Sequence, residues 1–434
     1  MHPAFEKLYK SNKRYFFITG GRGSLKSVNA HEFAAKLTFE TGHGILFTRY
    51  TMKSAETSII PEFIKVINRL GLGAYFHITK TRVINKTTGS FILFSGIKTN
   101  SGDQTANLKS ISGITTWIIE EGEDFLDELA FDTIDDSIRT IERQNRVIWI
   151  QNPSTKEHFI YKRWILPSNK KIKVEGFDVT VSNVEEVEHI HTTYRIAEKE
   201  GYLVQSWLDK AHKSIKKMED EIFTTTKSWD KSKEELEHKV RIIKHTCHYY
   251  YNYIGGWLEK AVGVIFDNWI EGEFDSSIPF LHALDYGYSP DPLAVGTIAL
   301  NERRKRIYVK DRIYATEVND IPAALEEVGV MKKELIVCDT NEKRTTAAIK
   351  KKGYNIQRAI KNSVAEDIRE IKQYLIIVDP SSSNFKAELN NYAWNDKKAS
   401  IPIGEYNHLM DGMRYGYRRL KYGLSKHRFR KSSK

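Results

Sequence analysis

Two short stretches of this 434-residue chain hold residue types whose spacing can handle a phosphate. In YFFITGGRGSLKSVNAHEFAAKL an apolar strand runs into a glycine-rich turn, then Lys26-Ser27, then a helix, the order of a phosphate-binding loop. Gly20, Gly21 and Gly23, with Arg22 and Ser24 among them, let backbone N–H groups close around phosphate oxygens. Lys26 would reach the β and γ phosphates of ATP, and Ser27 would hold Mg²⁺. Leu25 stands where the usual pattern has glycine, so the loop taken alone reads equally well as an ordinary strand-to-helix turn. ITTWIIEEGED shifts the balance. An apolar strand there ends in Glu120-Glu121, placed for the first acid to support Mg²⁺ and the second to polarise an attacking water. A solvated acidic cap that includes Glu123 and Asp124 is the competing account. A further strand, RVIWI, ends in Gln151-Asn152-Pro153, where the Asn152 amide can sense a γ-phosphate or simply make a turn. Arg22 and Arg49 can stabilise phosphate charge or serve as surface arginines.

The second half offers carboxylates. Asp285 closes the apolar strand FLHALD, Asp339 closes ELIVCD, and GEYNHLMDGMRYGYRRL places His408 and Asp411 three residues apart on one helix face. Strand-tip aspartates with a helical acid or histidine can converge on a pair of divalent ions, one activating water and the other stabilising the leaving oxygen of a phosphodiester. Hairpin strands, a helix, a second acid-tipped strand and a late acidic helix follow the order of a ribonuclease H-like nuclease. Asp379, before Pro380, is a rival whose setting suits a turn. His189 with His191, and His245 with Cys247 and His248, lack the second pair that a zinc site needs. Tyr249 to Tyr253 with Trp257 can stack on bases or, beside Gly255-Gly256, pack a domain junction. The tail RRLKYGLSKHRFRKSSK is basic without an acid, which suits a solvated tail or contact with phosphates.

These residues need elements to position them. Up to about residue 185, short apolar runs (YFFIT, GILFT, FILFSG, TTWII, RVIWI) alternate with amphipathic stretches, as in an α/β domain with a largely parallel sheet. From about Thr192 to Lys244 the chain turns rich in Lys and Glu at helical spacing, a helical connector. Beyond Phe280, LHALDYG, PLAVGTIAL and RIYVKDRIYA lie close enough for antiparallel hairpins, and helices alternate with strands afterwards. The length allows two or three domains. With 28% charged and 40% hydrophobic residues and 12% aromatics, the chain is not disordered. No long apolar run or signal-like start points to a membrane, and two cysteines fit a reducing compartment. The net charge of +11 favours polyanionic partners.

The combination resembles the large terminase subunit of tailed bacteriophages, closest to the branch in phages and prophages of Gram-positive bacteria. GGRGSLKS, WIIEEGED, YIGGWLEKAVGVIFDNW, LDYGYSPDP, CDTNEKRTTAAIKKKGYNIQRAIKNS and NHLMDGMRYGY carry the likeness. It implies a P-loop ATPase over 1–194, a helical linker over 195–274, and a ribonuclease H-like nuclease with a basic tail over 275–434. Lys26 and Ser27 match the loop residues, Glu120 and Glu121 the Walker B acid and catalytic glutamate, and Asn152 the coupling motif. Asp285, Asp339, His408 and Asp411 match the nuclease metal positions. The resemblance further implies MgATP at the first site and two Mg²⁺ or Mn²⁺ at the second. Expected partners are double-stranded viral DNA, a small terminase subunit and the procapsid portal protein. A monomer that forms a ring on the portal, in the cytoplasm of the infected host and away from membranes, is also expected. Competing readings are a helicase-like or recombination ATPase-nuclease and an inactive DNA-binding prophage remnant.

Overall fold

Apolar runs rich in Ile, Val and Phe become strands because branched and aromatic side chains pack well on a pleated surface. In the computed structural model, residues 2–52, 55–98, 113–230, 232–287, 291–316, 318–339, 342–360, 362–394, 402–404 and 406–423 are described. The chain divides into two units, Met1–Leu258 and Glu259–Lys434.

The first unit holds β1 (Tyr15–Gly20), β2 (Gly44–Thr51), β3 (Phe76–Ile78), β4 (Arg82–Asn85), β5 (Phe91–Lys98), β6 (Ile114–Ile119), β7 (Arg146–Gln151), β8 (Lys170–Val174), β9 (Phe177–Val181) and β10 (Val187–Thr192). One sheet runs β10-β1-β7-β6-β2-β5-β4-β3, parallel from β10 to β5 and antiparallel at β4 and β3. Both faces are covered, so the central strands are apolar throughout. Phe16, Ile18, Phe47 and Ile148 face helix α1 (Lys26–Leu37) through Ala30, Phe33 and Ala34. Phe17, Trp117 and Trp149 face the other way, toward Phe131 and Trp164. Because the strands are parallel, the phosphate loop after β1, Glu120 after β6 and Asn152 after β7 emerge at one end of the sheet, where Thr19 pairs with Gln151 and Ile119 with Trp149.

The Lys/Glu-rich stretch forms α2 (Gln205–Lys227) and α3 (Lys233–Thr246), mostly exposed, with α3 started by a reciprocal Ser232–Glu235 capping box. Ala211, Met218 and Ile243 pack with the β8–β9 hairpin and the aromatic run. That run forms one wide turn, Tyr250–Ile254, closed by Gly255 at φ 77°. Tyr249, Tyr250 and Tyr253 are buried, so they pack the interior and are not laid out for base stacking.

The second unit holds β11 (Trp269–Glu271), β12 (Phe280–Asp285), β13 (Leu293–Asn301), β14 (Arg306–Ala315), β15 (Leu335–Cys338), β16 (Asn355–Arg358) and β17 (Leu375–Val378). Its sheet order is β11-β17-β14-β13-β12-β15-β16. The hairpins β12–β13 and β13–β14 are antiparallel, while β15 joins β12 and β16 joins β15 in parallel, the ribonuclease H-like arrangement expected from the strand order. Helix α4 (Ser383–Asn391) precedes α5 (His408–Arg418), which presses on β12 and β13. Its two glycines allow this: a Cβ on Gly416 would fall 2.8 Å from Ile298 Cγ1, and one on Gly412 3.4 Å from Ala283 Cβ. Among the described residues no helix is long and apolar enough to cross a membrane. Tail residues 424–434 lie outside the described residues.

Candidate active sites

The loop from Gly20 to Ser27 wraps the end of β1. Gly20, at φ 149°, lies so near β10 that a Cβ would fall 1.9 Å from the Thr192 carbonyl oxygen. Leu25 adopts φ 59°, ψ 17°, a left-handed conformation that glycine takes freely and leucine takes at a cost of about 1–2 kcal/mol. The departure from the usual motif thus changes the residue while the backbone keeps the shape glycine would give. Lys26, buried at the start of α1, places Nζ 2.8 Å from the Gly20 and Gly21 carbonyls, and 3.0 Å from both Ser24 Oγ and Asn152 Oδ1. Burial draws its pKa down to about 8, against the pull of Glu123 and Glu120.

Those acids are the partners a metal-nucleotide site needs. Glu120 is buried, which raises its pKa, and it accepts a hydrogen bond from Ser27. Glu121 sits in the left-handed region at φ 52° and pairs with the Arg49 guanidinium, Nε to Oε2 at 2.6 Å. Strain of this kind gathers at functional sites. Glu123 departs from the solvated cap: burial raises its pKa, and it accepts from Asn152 through Nδ2 at 2.8 Å and the backbone N at 3.2 Å. Lys26, Asn152 and Glu123 therefore form one linked set that spacing alone did not reveal. A cavity of about 600 Å³ is lined by these groups, Arg22 and Ser58, and by Tyr202, Leu203 and Trp207 from the start of the connector. A buried ammonium, a hydroxyl and a buried carboxylate at a helix N-terminus fit a phosphate with a hard divalent cation.

In the second unit, α5 carries its polar residues to the tip of β12. His408 Nδ1 lies 3.0 Å from Asp285 Oδ2. Burial opposes protonation of His408, but this hydrogen bond and the charges of Glu388, Asp285 and Asp291 carry its pKa upward. Asp411 is raised by burial and by the like charge of Asp285, and is held by Arg414 at 2.7 Å. The Tyr415 hydroxyl has its pKa raised chiefly by burial and further by the charges of Asp411, Asp339 and Asp285. Among the described residues no three His, Cys, Asp or Glu side chains close on a common point able to hold a metal. The donor set of carboxylates and one imidazole nevertheless suits a divalent cation, and the crowding of Asp411 by Asp285 is relieved by added positive charge.

Glu388 was not singled out from sequence. Its Oε2 accepts from the backbone N–H groups of Leu409 and Met410, at 2.8 and 3.1 Å, and burial raises its pKa to about 7. It anchors the start of the helix that carries His408. Asp379 serves a turn, accepting from Ser381 N at 3.1 Å and Phe274 N at 3.3 Å. The other histidine clusters are structural: His245 bonds the Arg241 carbonyl at 2.8 Å, and His248 pairs with Ser214 at 2.9 Å.

The sequence model described as phage terminase large subunit matches residues 12–230, and that of the terminase RNAseH like domain matches 285–418. The terminase large subunit of Bacillus phage SPP1 is 24% identical over 440 residues, covering 93% of this chain and 91% of that protein. Among solved structures, the large terminase of thermophilic bacteriophage D6E is 14% identical, covering 96% of this chain and 97% of that one with a TM-score of 0.39. The nuclease domain of the SPP1 large terminase, solved with bound Mn, is 26% identical, covering 36% of this chain and 98% of that one at a TM-score of 0.33. The protein is an ATPase joined in one chain to a divalent-metal-dependent nuclease. It belongs to the phage terminase large subunit family, whose members package and cleave DNA.

Proposed function

We propose that the loop from Gly20 to Ser27 binds MgATP and that Asp285, Asp339, His408 and Asp411 form the nuclease centre. One chain then drives double-stranded viral DNA into a procapsid and cuts the concatemer. The observation that carries this reading is the buried Lys26 ammonium, set at a helix N-terminus beside the Ser27–Glu120 and Asn152–Glu123 pairs. Lys26 would exchange loop carbonyls for the β and γ phosphates, backed by loop amides and the α1 dipole. Ser27 and Glu120 would hold Mg²⁺, which neutralises charge on the phosphate oxygens. Glu121, released from Arg49, orients the attacking water, and Arg49 turns to the charge that develops on the phosphoryl group. Asn152, bonded to both Lys26 and Glu123, transmits loss of the γ-phosphate.

In the nuclease, Asp285, Asp339, Asp411 and His408 would hold two Mg²⁺ or Mn²⁺ ions, which supply water activation and leaving-group stabilisation. His408 orients the Asp285 carboxylate, and Arg414 fixes Asp411. Family membership supports recruitment by a small terminase subunit, docking on the portal protein as a ring built from monomers, and action in the cytoplasm of the infected host. The test uses the full chain. Lys26→Ala should lose DNA-stimulated phosphate release while keeping Mn²⁺-dependent nicking, and Asp285→Ala should do the reverse. Loss of both activities in either folded variant would overturn the assignment of separate centres.

A further inference from the structure

Thr19, the last residue of β1 before the loop glycines, stands between two buried histidines of β10. Its Oγ1 is 2.7 Å from His189 Nε2 and 2.8 Å from His191 Nδ1. The ends of this chain are fixed by groups with one role each. The Ser182 backbone N–H donates to His189 Nδ1 at 2.7 Å, so the His189 proton lies on Nε2 and points to Thr19. The Ile254 carbonyl can only accept, so His191 Nε2, 3.0 Å away, donates to it, and His191 Nδ1 accepts from the Thr19 hydroxyl. Burial lowers the two histidine pKa values to about 3 and about 4, so both rings are neutral and these tautomers persist at pH 7. Every donor in the series therefore points the same way, from Ser182 through His189, Thr19 and His191 to Ile254.

The far end of the series is the floor of the phosphate loop. Ile254 closes the wide turn whose Asn252 carbonyl accepts from the Arg22 N–H at 2.7 Å. A Cβ on Gly255 would fall 2.3 Å from the Gly20 carbonyl carbon, and one on Gly21 would fall 2.2 Å from the Tyr253 carbonyl oxygen. Backbone thus lies directly on backbone. Apolar side chains at 19, 189 and 191 would join β1 to β10 equally well and without the cost of burying polar groups. What they would not do is hold the Ile254 carbonyl, and with it the turn under Arg22.

We propose that Thr19, His189 and His191 are positioning residues of the ATPase: their directed hydrogen-bond series holds the 250–255 turn, and so the loop amides, in the geometry that receives the ATP phosphates. This rests on the assignment of the loop as the ATP site. The test measures steady-state ATPase of the full chain, with Lys26→Ala alongside. Thr19→Val keeps the shape and removes the hydroxyl with both of its hydrogen bonds; the freed turn is expected to raise KM for ATP about tenfold with kcat within about twofold. Thr19→Ser restores both constants. His191→Leu, which leaves β1 untouched, repeats the KM effect, and His191→Gln, with an acceptor toward Thr19 and a donor toward Ile254, reverses it. An unchanged KM in folded Thr19→Val or His191→Leu would overturn the proposal, as would serine and glutamine variants no better than valine and leucine. Full ATPase activity in Lys26→Ala would instead remove the loop assignment, and the positioning role with it.

Discussion

Around Lys26 the polar groups already have partners within the fold, whereas around Asp285 like charges crowd without converging. The lysine is bonded to loop carbonyls and Asn152, Glu121 to Arg49, and Glu123 to Asn152. In the nuclease one imidazole serves Asp285 and one guanidinium serves Asp411, whose pKa is raised by burial and by the charge of Asp285. The first site must break internal bonds to accept its ligand and is therefore suited to a cycle of loading and release. The second gathers carboxylates around one imidazole and one guanidinium and is suited to keeping a cation. Ligand exchange should thus be governed by side-chain rearrangement at one site and by cation concentration at the other.

The contrast can be broken in several ways. Glu121→Gln should cut phosphate release by about 10³-fold, the scale of losing a positioned base, while ATP affinity measured by titration stays within about threefold. A matching loss of affinity would mean that Glu121 holds nucleotide and does not orient water. Asp411→Asn should raise the Mn²⁺ concentration for half-maximal cleavage by about 10–100-fold and leave ATPase unchanged. The first site carries its own pH signature. Lys26 is charged below its lowered pKa of about 8 and neutral above it. ATP affinity should hold below that pH and then fall by up to about tenfold per unit, and a flat profile to pH 10 would contradict the buried ammonium.

Smaller effects separate the scaffolds. Gly416→Ala pushes a methyl against Ile298 and should destabilise the second unit by about 1–3 kcal/mol, lowering its unfolding midpoint in calorimetry. Leu25→Gly should relieve about 1 kcal/mol of left-handed strain, raise the midpoint of the first unit and preserve ATPase. Leu25→Val, branched at Cβ, should lower that midpoint.

Legibility in the sequence followed contiguity. GGRGSLKS, WIIEEGED and the strand tip at Asn152 could be read because each carries its chemistry in a few neighbouring residues, and a parallel sheet brings such tips to one end. The left-handed turn at Leu25 is set by the loop's path, which outweighs the preference of a single residue. Glu123 reads as solvated because its partner Asn152 lies 29 residues further along the chain. Glu388 and the Thr19 series were invisible because their partners lie on elements distant in the chain. The β8–β9 hairpin was hidden by exposed lysines alternating with its apolar face. The order of the nuclease strands was readable because hairpins are local, while the surroundings of Tyr415 depend on how α5 lands across β12 and β13.

The seating of Arg22 on Asn252 also sets a timetable. The phosphate loop leaves the ribosome early, but the segment beneath it is made about 230 residues later. A nascent chain carries its lysine long before it carries the floor under it. Released chains ending near residue 230 should bind ATP more weakly than released chains ending near 260. Synthesis would then act as a clock, withholding fuel from an unfinished motor, and equal binding by the two lengths would show that no such delay exists.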